Sequence, residues 1–148
     1  MKKINQIKKL INKEIKRQQQ GLVMIASENY CPLEILQLVG SPLSNKYAEG
    51  YPGKRYYSGN QFIDEIESLA CQEALKMFNL SDKYWRANVQ PHSGSSANLA
   101  VYLGLLKLGD KILSLDLSQG GHLTHGSPVN FSGQLFKFVH YSINPQTE

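Results

Sequence analysis

Ala87-Asn88-Val89-Gln90-Pro91-His92-Ser93-Gly94-Ser95-Ser96-Ala97-Asn98-Leu99-Ala100-Val101-Tyr102-Leu103-Gly104-Leu105-Leu106-Lys107-Leu108-Gly109-Asp110-Lys111-Ile112-Leu113-Ser114-Leu115 is the stretch that decides the fold. Ala87–Gln90 reads as a short strand stopped by Pro91. The turn from His92 to Ser96 leads into a helix expected over Ala97–Leu108. Its apolar face, Ala97, Ala100, Val101, Gly104, Leu105 and Leu108, follows helical spacing. Gly109-Asp110 breaks that helix, and Lys111–Leu115 reads as a second strand. Beyond it, a Gly/His-rich loop precedes a third strand expected over Leu135–Tyr141. Strand, helix, strand, loop, strand is an α/β layout with a mostly parallel sheet flanked by helices.

Working back toward the N-terminus, an amphipathic helix is expected from Phe62 to Phe78. Phe62, Ile66, Leu69, Ala70, Ala74 and Met77 form its buried stripe, and Asn79 or Ser81 ends it. Residues 21–60 carry Gly40, Gly50, Gly53 and Gly59 with Pro32, Pro42 and Pro52, which prevent long regular elements. Only a short helix around Pro32–Val39 fits there, and a loop segment of this length is usually functional. Ile4, Ile7, Ile11 and Ile15 draw one apolar stripe along a basic helix of about four turns. The expected division is therefore residues 1–60, an N-terminal helix and extended arm, and residues 61–148, the start of a larger domain.

The bulk properties bound the function. A chain of 148 residues with 41% hydrophobic content suits a packed core rather than a disordered tail. The net charge is +4, but the first twenty residues hold +6, so the remainder is mildly acidic. The basic stripe lacks an aromatic anchor, which favours a surface or subunit-contacting helix over membrane or nucleic-acid binding. Cys31 and Cys71 suggest neither a disulfide framework nor a zinc site. No apolar signal or spanning segment follows the first lysines, so the expectation is a reduced, soluble, cytoplasmic protein.

Three segments concentrate chemistry. The serine turn, Ser93 to Ser96, joins a strand to a helix, where free N–H groups and the positive end of the helix dipole favour an anion. Serine and glycine also cap helices for structural reasons alone, so that reading stays open. The loop Gln119-Gly120-Gly121-His122-Leu123-Thr124-His125-Gly126 follows a strand, at the end of an α/β sheet where ligands bind. Its glycines leave room for a flat ring against a histidine. His122 and His125 lack a carboxylate or cysteine partner for a metal, and His125 reads best as a satisfied loop residue. The block Asn45 to Tyr57 packs four tyrosines, Glu49 and three cations into thirteen residues. A glutamate among aromatics is a candidate acid–base group, and the same block suits a polar subunit interface.

Taken together, Ile25–Tyr30, Asn45–Tyr57, Asn88–Ser95 and Gly120–Gly133 resemble serine hydroxymethyltransferase, in its bacterial form, in order and spacing. The resemblance runs from about residue 20 to the end. It implies the N-terminal arm and the beginning of the large domain of a fold type I pyridoxal-phosphate-dependent transferase. That transferase moves the hydroxymethyl unit of serine to tetrahydrofolate, giving glycine and 5,10-methylenetetrahydrofolate. By position, Gly94 and Ser95 match ligands of the pyridoxal 5'-phosphate phosphate group, and His122 matches the histidine stacked on its ring. Ser27 matches a serine at the substrate carboxylate, and Glu49 the proton-transfer group at the serine hydroxyl. Tyr47 and Tyr57 match tyrosines reaching into the partner subunit's site of a homodimer, Tyr47 toward the phosphate. Tyr56, Leu117, Gly121 and Leu123, with Glu49, match the folate site.

The resemblance also implies a lysine, an aspartate and an arginine beyond Glu148. The chain therefore reads as an N-terminal portion, expected to be inactive by itself. Ser118-Gln119 and the insertion Tyr84-Trp85-Arg86 depart from the bacterial pattern without touching His122. Another fold type I enzyme such as a threonine aldolase, or a non-catalytic dimerisation or binding remnant, remains the alternative.

Overall fold

The computed structural model describes residues 2–147, which fall into two compact units, one up to Ile63 and one from Asp64. In the first unit, α1 (Lys2–Gln20) runs roughly five turns, one more than its isoleucine stripe suggests. It has no glycine or proline before Gly21 to stop it. Glu14 accepts from Arg17 Nε at 2.8 Å and from Gln18 at 3.0 Å. The Arg17 bond, with help from Gln18, pulls the Glu14 carboxyl down to about 2. α2 (Leu33–Val39) begins one residue after Pro32, whose carbonyl accepts from Ile35 and Leu36 N–H, both at 3.1 Å. A 3-10 turn over Pro42–Asn45 follows.

Within the arm, β1 (Gly50–Tyr51) and β2 (Lys54–Arg55) make a small antiparallel hairpin, Gly50 opposite Arg55 and Tyr51 opposite Lys54. The hairpin was not expected, but Pro52-Gly53 is suited to its two-residue turn. α3 (Gln61–Met77) spans the junction between the units. It ends as its sequence suggests. Asn79 takes φ 53°, its N–H reaches Lys76 O at 3.0 Å, and Leu80 N–H reaches Leu75 O at 2.9 Å. That is a Schellman stop with asparagine in the left-handed position.

The second unit contains α4 (Gly94–Leu105), β3 (Lys111–Leu115), a 3-10 turn at Leu117–Gln119, α5 (Phe131–Leu135) and β4 (Lys137–Tyr141). β3 and β4 pair in parallel from Lys111 opposite Lys137 to Leu115 opposite Tyr141. Gly109 N–H to Leu135 O (2.8 Å), Lys137 N–H to Asp110 O (2.9 Å) and Asp116 N–H to Tyr141 O (3.0 Å) extend the ladder. Just before β4, Phe136 is the buried hydrophobic residue among those described, 4% exposed, with the Tyr102 ring 5.6 Å away.

Four expectations need correction. Ala87–Gln90 enters neither sheet. It is tied to α3 instead, through Cys71 Sγ to Ala87 O at 3.4 Å and Gln90 Nε2 to Glu67 Oε1 at 2.7 Å. α4 starts and ends three residues early, because Ser96 caps it: its Oγ accepts from Ser93 N–H at 3.1 Å and donates to Ser93 O at 2.9 Å. The start of the third strand is taken by α5, capped where Asn130 Oδ1 accepts from Ser132 N–H at 3.0 Å. Finally, the stripes of α3 and α4 are open. Phe62, Ile66 and Leu69 are exposed, and Val101 and Leu105 edge a groove of about 420 Å³ with Ala97, Ala100 and Gly104. Periodicity tells which face is apolar, and nothing about what covers it.

Candidate functional site

The candidate residues lie in both units, and each group is built differently. In the first, the arm is held by its backbone. The Arg55 guanidinium donates to Ala48 O and Gly50 O, both at 2.8 Å, and Tyr56 N–H reaches Glu49 O at 3.1 Å. Asn60, 5% exposed, donates through Nδ2 to Tyr57 O at 2.9 Å and to Tyr47 O at 3.4 Å. Its Oδ1 is buried without a partner. The result brings the Tyr47 and Tyr57 rings edge to face at 5.1 Å. Glu49 and Tyr56 start from adjacent, bonded backbone, but the Glu49 side chain stands in solvent. The aromatic enclosure expected around its carboxylate is not formed within this chain. Ser27 belongs to a separate groove of about 460 Å³, lined by Gln18, Val23, Glu28, Asn29 and Tyr30.

In the second unit, the serine turn divides its labour. Ser96 spends its hydroxyl on the cap, so it does not serve as the anion donor that the sequence allowed. Gly94 and Ser95 form the first positions of α4, whose amides have no intrahelical acceptor. A side chain at Gly94 would meet nothing within 4 Å, so the approach to these amides is clear. A phosphate group fits such an end, by hydrogen bonding and by the helix dipole.

The histidine loop is knotted under the end of β3. Asp116 accepts from Ser118 N–H at 2.8 Å and from Ser118 Oγ at 2.6 Å. These bonds lower its carboxyl below the usual range. Gly121 N–H reaches Asp116 O at 2.9 Å, and any side chain there would collide with the carbonyls of Leu115 and Asp116. Gln119, one of the departures from the bacterial pattern, accepts from Ile143 N–H and ties the loop to the segment after β4. Gly126 takes φ 92° with the Phe138 ring packed where a Cβ would sit. Only glycine combines that backbone with that closeness.

His122 sits on this frame with its ring exposed. Its Nδ1 accepts from Thr124 N–H at 3.1 Å and lies 2.8 Å from Thr124 Oγ1. Thr124 is fully buried, with Asn98 Nδ2 donating to its Oγ1 at 2.7 Å and the Tyr102 hydroxyl to its carbonyl at 3.0 Å. Burial pushes the Tyr102 phenol up, which keeps it a donor. His125 accepts at Nδ1 from His122 N–H at 3.0 Å, a loop role. Among the described residues no group of three His, Cys, Asp or Glu is placed to hold a metal ion. Gly121, His122 and Leu123 thus share one loop, with Leu117 on the turn before it.

The serine hydroxymethyltransferase family profile matches residues 1–148. The chain belongs to the serine hydroxymethyltransferase family. It is 58% identical over 141 residues to the serine hydroxymethyltransferase of Prochlorococcus marinus (strain AS9601), a match over 95% of this chain and 32% of that relative. The chain therefore spans about a third of the length of the curated relative, and corresponds to an N-terminal portion of the family. No helix among the described residues is long and apolar enough to cross a membrane.

Sequence reasoning alone passed over Asn60, Asn98, Tyr102 and Thr124. Thr124 lies inside the quoted histidine motif, which was a signal. Asn98 lies one turn beyond Ser95, but its bond to Thr124 spans 26 residues and no local pattern announces it.

Proposed function

We propose that this chain is the N-terminal portion of a pyridoxal-phosphate-dependent serine hydroxymethyltransferase of fold type I. It would serve the reversible transfer of the one-carbon unit of serine to tetrahydrofolate, giving glycine, in the cytoplasm. Residues 1–60 act as the active-site and dimerisation arm, and residues 61–148 as the first part of the cofactor-binding domain. The observation that carries the reading is the histidine loop, whose exposed His122 is fastened to the same helix that opens with Gly94 and Ser95.

When bound, pyridoxal 5'-phosphate supplies an electron sink for cleavage of the serine Cα–Cβ bond. Gly94 and Ser95 hold its phosphate, and His122 lies against its ring. Ser27 takes the substrate carboxylate. Glu49 moves the proton at the serine hydroxyl or at a folate nitrogen, a role for which its solvent access leaves room. Tyr56, Leu117, Gly121 and Leu123 line the folate. Tyr47 and Tyr57, more than half exposed in the single chain, reach the partner's site in a homodimer, Tyr47 toward the phosphate.

The test is a chimera joining these residues to the remainder of the Prochlorococcus marinus relative. Serine cleavage that requires tetrahydrofolate, reduced about 10²–10⁴-fold by Glu49→Gln, is the expected result. Folate-independent cleavage of hydroxyamino acids, with no folate binding, would instead place the chain with aldolases. A chimera that dimerises without binding the cofactor would mark a non-catalytic module.

A further inference from the structure

We propose that Asn98 and Thr124 are positioning residues that lock the His122 imidazole into one tautomer, Nδ1 turned in as an acceptor and Nε2–H turned out. The argument begins with proton counting at Thr124. Its hydroxyl carries one proton and two lone pairs. Asn98 Nδ2 donates to Oγ1 at 2.7 Å, which leaves the hydroxyl proton free to point at His122 Nδ1, 2.8 Å away. Thr124 N–H points at the same nitrogen at 3.1 Å. Two donors converge on Nδ1, so the ring proton resides on Nε2.

The assignment does not hang on the orientation of the Asn98 amide. Were that amide turned over, the hydroxyl would donate to Asn98, and Nδ1 would be free to carry a proton toward Oγ1. The backbone N–H of Thr124, which cannot turn over, would then meet a protonated nitrogen. Thr124 is also fully buried, so water does not compete for these bonds. The Tyr102 hydroxyl holds the Thr124 carbonyl at 3.0 Å, and His125 Nδ1 holds the His122 amide at 3.0 Å. Rotating the imidazole breaks both of its bonds at once.

The consequence concerns spacing. Asn98 follows Ser95 by three residues on α4, a rise of about 4.5 Å along the axis and nearly one face. The helix end read as the phosphate site and the fastening of His122 are therefore marks on one rigid ruler. Resting on the proposed function, this gives Asn98 a part in setting the phosphate-to-ring distance that the cofactor must match.

The lock is tested in the 15N-labelled chimera before cofactor is added. Long-range 1H–15N spectra at about pH 8, above the ordinary histidine range, should show His122 as a single Nε2–H tautomer. A through-hydrogen-bond coupling should join the Thr124 amide to His122 Nδ1. Asn98→Ala and Thr124→Val should leave a partly mixed tautomer, favoured only by the remaining donors such as the backbone N–H at position 124, and Thr124→Ser should restore the single one. An averaged ring in the unsubstituted chimera, or a lock untouched by Asn98→Ala, overturns the proposal. If Thr124→Val unfolds, the coupling in the unsubstituted chimera still decides. In the chimera, Asn98→Ala should weaken pyridoxal-phosphate affinity about threefold to tenfold, the scale of one hydrogen bond. It should also change the circular dichroism of the bound cofactor. A chimera that binds no cofactor would remove the functional reading and leave the lock to be judged by the nuclear magnetic resonance result.

Discussion

The arm and the histidine loop hold their candidate residues in opposite ways. In the arm, Arg55 and Asn60 spend their bonds on carbonyl oxygens of residues 47–57, so the backbone is fixed and the side chains of Glu49 and Tyr56 are left open. In the loop, the bonds end on the His122 ring itself. The arm fixes where its side chains start; the loop fixes where one ends. A side chain fixed only at its root still needs an outside surface to orient it, whereas His122 is oriented by its own unit.

Separating the two regions by substitution sharpens that contrast. The largest effect should come from Phe136→Ala, which empties the buried apolar position found among the described residues of the second unit. A loss of about 3–5 kcal/mol is expected in denaturant unfolding, with the His122 signals lost and the arm's Tyr47–Tyr57 contacts kept. Gly126→Ala should follow at about 3 kcal/mol, because a Cβ there meets the Phe138 ring on a backbone with φ 92°. Asn60→Ala should cost about 1 kcal/mol, since it also removes a buried oxygen that has no partner. Its sharper readout is the loss of nuclear Overhauser contacts between Tyr47 and Tyr57 while the His122 tautomer stays unchanged. If Asn60→Ala leaves the tyrosine pair intact, the arm is organised by something other than its backbone clamp.

The smallest effect belongs to α1. Glu14 titrates at about 2 in the folded helix against an ordinary 4.5. A depressed carboxyl contributes stability that is present above the ordinary value and fades as pH falls through the folded one. Helicity of α1 by circular dichroism should therefore decline slightly between about pH 4.5 and 2. Glu14→Gln should remove that step, and neither the arm nor the loop should respond.

Much of this was legible in the sequence. Lys111–Leu115 and the latter part of Leu135–Tyr141 declared themselves as strands, and the asparagine that ends α3 did so too. What periodicity cannot supply is the partner. Val89 looks like a strand residue, yet its segment docks on α3 through Cys71 and Gln90. Ser96 looked like an anion ligand and is a cap, because a serine three residues into a helix can satisfy the entry backbone. The motif residues of the site came from resemblance, while the residues that hold them, Asn60, Asn98 and Thr124, act across 13 to 26 residues and exist only once the chain is folded.

The parallel pairing of β3 with β4 has one more consequence, for the order of assembly. The entire histidine loop lies inside the crossover between those strands. Pairing the strands therefore also draws the two ends of that segment together, within one crossover's closure entropy. On the ribosome, that closure requires the residues up to Tyr141 to have emerged.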